Sequence, residues 1–251
     1  MIKIIGFIIA ILCLTPTYSG TIDPNVSDQL YVKYGESFDF ICSISGQYKD
    51  KTFFAASAVI IDSHHIITAA HVIKGVESCS IKIKDKTYPL SNLVYHDKYQ
   101  DKIFGLYDIA IAYSEEDLGL SFYPPLYESS DEVGKICCIS GYGLTGTFAT
   151  GAVKHDGKRR AGSNKIDYID KQLLMCTASH RKDKQGFTSL EFLIASGDSG
   201  GGLFIEGKLA GINSCVISVN KDKILSKYGC ESGHTRISHY IDWIKKHANE
   251  K

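Results

Sequence analysis

The sequence predicts a folded all-β protein that ends in one amphipathic helix. Its 251 residues are 44% hydrophobic and 22% charged, a composition too apolar for a disordered chain. Short runs rich in Ile, Val, Phe and Ala are separated by Gly, Asp, Asn, Ser and Lys turns, a spacing typical of barrels and sandwiches. The length suits two barrels that form one unit. The predicted strands are 38–44, 53–61, 80–83, 109–112, 135–139, 173–177, 202–205 and 209–212.

The first nineteen residues are interpreted as a secretory signal peptide. Lys3 supplies a positive charge, an uncharged run of eleven residues follows at 4–14, and Pro16 ends any helix there. The alternative is a membrane anchor, but eleven residues make only about 16 Å of helix. A bilayer core is about 30 Å thick. We therefore expect cleavage after Ser19, a secreted or periplasmic mature chain, and no membrane association once the signal is removed.

The last segment carries the helical pattern. After Ser238 as N-cap, apolar residues recur at the spacing of one helical stripe, with charged residues on the other faces. We expect this helix to pack against a β core. The stripe comprises Ile237, Tyr240, Ile241, Ile244 and Ala248.

Charge and cysteine content exclude several classes of function. Lys and Arg together number 28, as do Asp and Glu, so no basic field attracts nucleic acid. Seven of the eight cysteines follow the signal peptide, without a CxxC pair or zinc-like Cys/His spacing, which favours disulfides over metal. Because seven is odd, at least one thiol is left unpaired or bonds another chain. Residues 141–146 fit a GxGxxG pattern, but no helical pattern follows to bind a dinucleotide. We expect no metal and no cofactor.

Three short segments carry candidate catalytic residues. His71 ends an apolar strand, Asp108 opens another, and Ser199 lies among glycines that permit a tight turn with converging amides. A serine hydroxyl becomes nucleophilic when a neutral imidazole accepts its proton, and a carboxylate on the other ring nitrogen fixes the imidazole tautomer. Each residue alone is more ordinary as a core histidine, a turn acid or a loop serine. Together they indicate nucleophilic acyl transfer.

In their order and flanking residues, these segments resemble those of chymotrypsin-type (trypsin-like) serine proteases. TAAH ends at His71, DIAI starts at Asp108, and GDSGG surrounds Ser199. The resemblance extends from about residue 30 to the end of the chain. It implies that these three residues form the catalytic triad of a serine endopeptidase that acts through an acyl-enzyme on Ser199.

The same resemblance implies a fold and a set of partners. The fold is two six-stranded antiparallel Greek-key barrels, at 20–125 and 126–251, with the active site in the cleft between them and a C-terminal helix. Polypeptide substrates are the expected partners, with protein inhibitors as further candidates. The alternative function is a catalytically silent trypsin-like binding module, which the complete triad disfavours.

The resemblance also implies roles for residues near the triad. The amides of Gly197 and Ser199 would form the oxyanion hole, and Leu193 would form the base of the primary specificity pocket. A pocket with the uncharged Leu193 at its floor favours small or apolar substrate side chains over Arg or Lys. Glu231 or Ser232, from a poorly aligned loop, would change this preference if either reached the pocket. The edge strand expected to pair with the substrate backbone comprises Ser214, Cys215 and Val216, and Val216 would narrow the pocket mouth.

The resemblance leaves the cysteine pairs and the mature N-terminus undetermined. Two familiar disulfides are missing, and Cys215–Cys230 and Cys42–Cys79 are candidate pairs whose connectivity the sequence does not determine. Family members pair a new N-terminal amine with the acid before the nucleophile, here Asp198. Signal cleavage would expose Gly20, and a second cut would expose Ile22.

Overall fold

A computed structural model describes residues 20–103, 105–154, 156–178, 187–218 and 225–249, so the predicted signal peptide at 1–19 lies outside the described residues. The helices are α1 (Asp28–Gly35), α2 (Ala70–Ile73) and α3 (Ile241–Ala248), with a 3₁₀ turn at Ile237–His239. The strands are β1 (Thr21–Ile22), β2 (Ile41–Tyr48), β3 (Phe53–Ile60), β4 (His65–Thr68), β5 (Val76–Ile83), β6 (Lys86–Pro89), β7 (Ser91–Tyr95), β8 (Ala110–Tyr113), β9 (Ile136–Gly141), β10 (Thr145–Thr147), β11 (Gly151–Lys154), β12 (Arg160–Lys165), β13 (Tyr168–Asp170), β14 (Leu173–Thr177), β15 (Phe192–Leu193), β16 (Gly202–Ile205), β17 (Lys208–Ser218) and β18 (Cys230–Arg236).

The first barrel is closed by a strand that bends. Its strand order is β6-β5-β2-β3-β4-β8-β7, with every neighbouring pair antiparallel. Only Leu90 separates β6 from β7, so a single bent strand pairs with both ends of the sheet and leaves six strands in a ring. Their inward side chains form a core that includes Ile44, Ile60, Ile67 and Ile81.

The second barrel closes in the same way. Its order is β12-β9-β16-β17-β18-β14-β13, again antiparallel throughout. Two residues, Ile166 and Asp167, separate β12 from β13, which act as one bent strand. The core inside includes Ile139, Leu174, Leu203 and Ala210. The prediction of an all-β fold of two six-stranded barrels is confirmed, and each of the eight predicted runs overlaps a strand.

The two ends of the chain pack on opposite barrels. At the N-terminus, β1 pairs with β10 and β15, and Tyr31 of α1 is buried in the core of the second barrel. At the C-terminus, Tyr240 and Ile244 are buried in the core of the first barrel, as the apolar stripe predicts.

The predicted N-cap of the last helix is wrong, because α3 begins at Ile241. The Ser238 hydroxyl instead donates to Glu132 Oε1 at 2.7 Å. No helix among the described residues is long and apolar enough to cross a membrane.

Both candidate cysteine pairings are wrong because strand register separates the thiols. Cys79 lies opposite Gly46, four residues along β2 from Cys42, which is about 13 Å. Cys230 lies opposite Ser218, three residues along β17 from Cys215. A disulfide needs Cα atoms within about 7 Å. All seven described cysteines are free thiols, including Cys137 and Cys176, whose Sγ atoms are 3.9 Å apart.

Candidate active site

His71 lies on the short helix α2, where the chain leaves β4. The two residues before it, Ala69 and Ala70, are fully buried, and their small side chains allow the backbone to turn within the packed core. The His71 backbone amide donates to Asp108 Oδ1 at 3.0 Å, and ring atom Nδ1 lies 2.8 Å from Asp108 Oδ2. Asp108 therefore holds both the main chain and the ring of His71.

Asp108 is 3% exposed, and hydrogen bonds from both barrels satisfy it. Besides the two bonds from His71, Oδ2 accepts the Ser214 hydroxyl at 2.6 Å. The Asp108 carbonyl oxygen accepts the hydroxyl of Thr235 at 2.9 Å. Burying a carboxylate is costly unless it is paired and hydrogen-bonded, and here the second barrel supplies part of the pairing.

The two groups shift each other's protonation. Burial alone raises the pKa of Asp108, but the hydrogen bonds from His71 and Ser214 outweigh it and lower the pKa below its usual value. Burial alone lowers the pKa of His71, but the hydrogen bond and charge of Asp108 raise the pKa above its usual value. An ionised carboxylate only accepts, so the proton of neutral His71 lies on Nδ1. Nε2 is then left as a base.

Ser199 lies on a tight turn that packs against the first barrel. The turn is closed by the Asp198 amide donating to the Ala195 carbonyl at 3.0 Å. Gly200 has a φ of +83°, and a Cβ there would come within 1.9 Å of Thr68 Oγ1 and 2.2 Å of the Ser57 carbonyl oxygen. Glycine is required at this close approach, which brings the turn beside the end of β4, three residues before His71.

The amides of this turn are open to a ligand. Gly197 has a φ of +89°, which favours glycine. Among the described residues, the amides of Gly197 and Ser199 have no hydrogen-bond acceptor, and the Ser199 hydroxyl has no partner, including His71. Catalytic hydrogen bonds are often long without substrate and tighten when it binds. Two amides, a hydroxyl and an imidazole arranged in this way can carry out acyl transfer.

Two adjoining cavities are lined by the three predicted triad residues. Ser199 lines a pocket of about 460 Å³, and His71 and Asp108 line a neighbouring one of about 370 Å³. The structure therefore brings the three predicted triad residues to one cleft. The residues that line both cavities are Ser214, Cys215, Val216 and Leu225.

Comparisons with known proteins identify the family. The family model described as Trypsin matches residues 33–244. The chain belongs to the trypsin family of serine peptidases. No curated protein matches the sequence.

Solved structures with this fold include two serine-protease-like chains. One is a structure described as HL collagenase, with a TM-score of 0.67, 16% identity, and coverage of 85% of this chain and 95% of that chain. Another is neuropsin, a serine protease expressed in the limbic system of mouse brain, with a TM-score of 0.65 and 20% identity. That match covers 86% of this chain and 96% of neuropsin. Both share the trypsin-family fold.

The pocket wall of this trypsin-family chain differs from the sequence prediction. Leu193 is fully buried on β15 and packs with Phe148, Ala178 and Cys230, whereas its neighbour Ile194 lines the pocket. In an extended strand successive side chains point to opposite faces, so only one of the two faces the pocket. Val216, which lines the pocket, also packs against this buried cluster.

The alternative pocket residues lie elsewhere. The Glu231 carboxylate accepts the hydroxyl of Tyr168 at 2.6 Å on an exposed part of the second barrel. Ser232 is fully buried and lies 2.9 Å from His234 Nε2. Within the described residues, no charged side chain lines the pocket beside Ser199.

Asp198 is fully buried and holds the N-terminal segment. Its carboxylate accepts the backbone amides of Gly20 at 2.7 Å, Ala195 at 2.9 Å and Gly143 at 2.7 Å. Burial raises the pKa of Asp198 to about 6, and the three amides oppose that rise. Of the two residues considered as a new N-terminus, the structure brings Gly20 to Asp198, while Ile22 pairs within the β1 sheet. A Cβ at Gly20 would lie 1.9 Å from the ring of Phe192, so only glycine fits here.

Sequence reasoning missed three contacts made by small hydroxyl side chains. Thr235 and Ser214 both bond Asp108, and Ser57 bonds the turn that carries Ser199. In the sequence, Ser57 is recognisable as one hydroxyl residue within the apolar run of β3. A buried polar side chain needs a partner, but the sequence does not identify that partner.

Proposed function

We propose that the protein is a secreted serine endopeptidase that hydrolyses peptide bonds through an acyl-enzyme on Ser199. The observation that carries the proposal is the hydrogen bond of His71 to the buried Asp108, beside a pocket lined by Ser199 and a turn whose Gly197 and Ser199 amides have no acceptor among the described residues. Membership of the trypsin family supports peptidase chemistry. A silent binding module has no need for a buried carboxylate that fixes the tautomer of His71.

The proposed reaction has two balanced steps. Ser199 Oγ attacks the scissile carbonyl carbon while His71 Nε2 takes the hydroxyl proton, and the amides of Gly197 and Ser199 bind the developing oxyanion. The C–N bond then breaks, and His71 returns the proton to the leaving amine. A water molecule attacks the acyl-enzyme by the same route, releasing the carboxylic acid and restoring Ser199.

The pocket supports cleavage after small or medium apolar residues. An ammonium or guanidinium group that enters a pocket whose described lining carries no charge loses solvation without gaining a partner there, which costs several kcal/mol, or about a thousandfold in rate. Small apolar side chains gain roughly 1–3 kcal/mol from burial. Val216 at the pocket limits the size of the side chain that enters.

One proteolytic cut is sufficient in this proposal to mature the enzyme. Removal of the signal peptide after Ser19 would turn the Gly20 amide into a cationic amine 2.7 Å from Asp198 Oδ2. A cation there offsets the desolvation of the carboxylate and favours the ionised form. The mature N-terminus would then hold the turn that carries Ser199.

Labelling with a fluorophosphonate probe tests the proposed function. The purified mature protein should be labelled on one serine, and the Ser199→Ala variant should not be labelled. Ser129→Ala, at an exposed position, serves as the matched control and should react like the wild type. A folded wild-type protein that resists the probe and cleaves no peptide would instead support the silent binding module.

A peptide-library digest read by mass spectrometry tests the specificity. We expect the dominant cleavage sites to follow Ala, Val and other small or medium apolar residues. Dominant cleavage after Arg or Lys would refute the argument from the uncharged pocket while leaving the proposed chemistry intact.

A further inference from the structure

Ser57 lies on β3 of the first barrel, at the point where this barrel meets the Ser199 turn. It is fully buried. Its hydroxyl donates to the Gly197 carbonyl at 2.9 Å and accepts the Tyr142 amide at 2.9 Å. Its own amide donates to the Ser199 carbonyl at 2.9 Å, and its carbonyl accepts the Thr68 hydroxyl at 2.9 Å. One residue thus connects three other segments of the site: the Ser199 turn, the segment at Tyr142 and the end of β4.

The direction of the hydroxyl is fixed by these partners. A backbone amide only donates, so the Ser57 oxygen must accept from Tyr142. A carbonyl oxygen only accepts, so the single hydroxyl proton goes to Gly197. No other arrangement of that proton satisfies both neighbours.

The carbonyls that Ser57 holds belong to Gly197 and Ser199, the two residues whose amides form the proposed oxyanion hole. Glycine at a φ of +89° has wide conformational freedom unless its neighbours restrict it. A hydrogen bond on the Gly197 carbonyl restricts rotation of the following peptide plane. Two bonds from one rigid strand therefore fix the turn on both sides of Asp198.

We propose that Ser57 is a positioning residue for the oxyanion hole, acting from the first barrel on a turn of the second. The inference rests on the proposed function, since it concerns how tightly the transition state is bound. Ser57 does not line the pocket beside Ser199, so its removal should leave binding of the ground-state peptide unchanged. Stabilisation that appears only in the transition state changes kcat rather than KM.

The test measures kcat, KM and inhibitor binding for Ser57→Ala. Loss of one oxyanion donor typically costs about 10²–10³ in kcat, and a misaligned donor should cost less. We expect a fall in kcat of about 10–100-fold with KM within about twofold. A peptide boronic acid, which forms a tetrahedral adduct, should lose affinity by a similar factor, whereas a non-covalent product peptide should bind normally.

Two further variants separate positioning from general damage to the barrel. Ser57→Thr keeps the hydroxyl and should recover most of kcat. Ser43→Ala removes a hydroxyl directly opposite on β2 that makes no hydrogen bond among the described residues, and it should behave like the wild type. Ser57→Cys, a weaker donor of similar size, gives an intermediate kcat and replaces Ser57→Ala if that variant does not fold.

Three results would overturn the inference. The first is an unchanged kcat in both Ser57→Ala and Ser57→Cys. The second is a loss of activity that appears as a higher KM, with binding of the product peptide equally weakened. The third is a loss of kcat in Ser43→Ala equal to that in Ser57→Ala. In each case the wild type still reacts with the fluorophosphonate probe, so the proposed function stands. A wild-type protein that does not react removes the proposed function and this inference together.

Discussion

The two sides of the cleft are each anchored by the opposite barrel, but by different kinds of hydrogen bond. On the first barrel, Asp108 is held by the hydroxyls of Ser214 and Thr235 from the second. On the second barrel, the Ser199 turn is held by Ser57 from the first. Ser214 bonds the carboxylate of Asp108 and Thr235 bonds its main-chain carbonyl, whereas both bonds from Ser57 reach the turn at main-chain carbonyls.

This difference matches what each side has to do in the proposed reaction. A base needs a defined tautomer and a raised pKa, and side-chain bonds to an ionised carboxylate supply both. An oxyanion hole needs donors that are fixed in space and still unpaired, and bonds to neighbouring carbonyls fix the turn without using its amides. Substitutions on the first side should therefore alter protonation, and those on the second side should alter geometry.

The largest expected effect is the loss of either reacting side chain. Ser199→Ala and His71→Ala should each lower kcat/KM by about 10⁴–10⁶, and the double variant should lose little more because the two act as a unit. Steady-state hydrolysis of a peptide ester measures all three. Multiplicative losses in the double variant would show that the two residues act separately.

The next effect comes from the carboxylate. Asp108→Asn should lower kcat by about 10³–10⁴, since an amide can donate to Nδ1 and stabilise the wrong tautomer. Ser214→Ala should lower kcat far less, because the carboxylate keeps its bonds to His71. The ratio of the two losses in kcat, measured with one substrate, separates the effect of the Asp108 charge from the effect of the hydrogen bond that Ser214 donates to it. Equal losses would show that the hydrogen bond from Ser214 is as important for kcat as the charge on Asp108.

A smaller effect is expected from the geometry of the turn. Gly197→Val places a β-branched residue at a φ of +89° and should lower kcat by about 10–10³-fold. The thermal unfolding midpoint should change less than that of a core variant such as Ile67→Ala. Normal turnover by Gly197→Val would remove its amide from the proposed oxyanion hole.

The smallest effect is a shift in the pH profile. Activity requires neutral His71, so kcat/KM should fall as pH drops through the His71 pKa. Asp108 raises that pKa, which places the midpoint of the fall above the ordinary histidine value of 6.5. The residual activity of Asp108→Asn should have its midpoint at lower pH, because the raising charge is gone. A wild-type midpoint below 6.5 would contradict the coupling.

The sequence predicts the apolar parts of the fold better than the polar ones. Runs such as 202–205 are apolar on both faces and are recognisable as buried strands. Strand β18 was missed because its buried face is polar: His234 lies 2.9 Å from both Asn213 Oδ1 and Ser232 Oγ inside the second barrel. Helix α1 was missed because Tyr31 is its one buried side chain of any size.

The same division holds for the site. The three triad positions are predictable because the chemistry dictates both residue type and flanking glycine or apolar residues. The pocket wall is not predictable in this way, since the choice between Leu193 and Ile194 depends on which of two successive side chains at the end of β15 faces the pocket. Contacts between barrels, such as that of Ser57 with Gly197, join residues 140 positions apart, and no local pattern specifies them.

Closing each barrel with one bent strand also limits the open edges of its sheet. Open sheet edges present unpaired amides and carbonyls, along which sheets from different molecules join and aggregate. The bends at Leu90 and at Ile166 let one strand pair with both ends of its sheet, so in the described part of the chain neither ring ends in a long free edge.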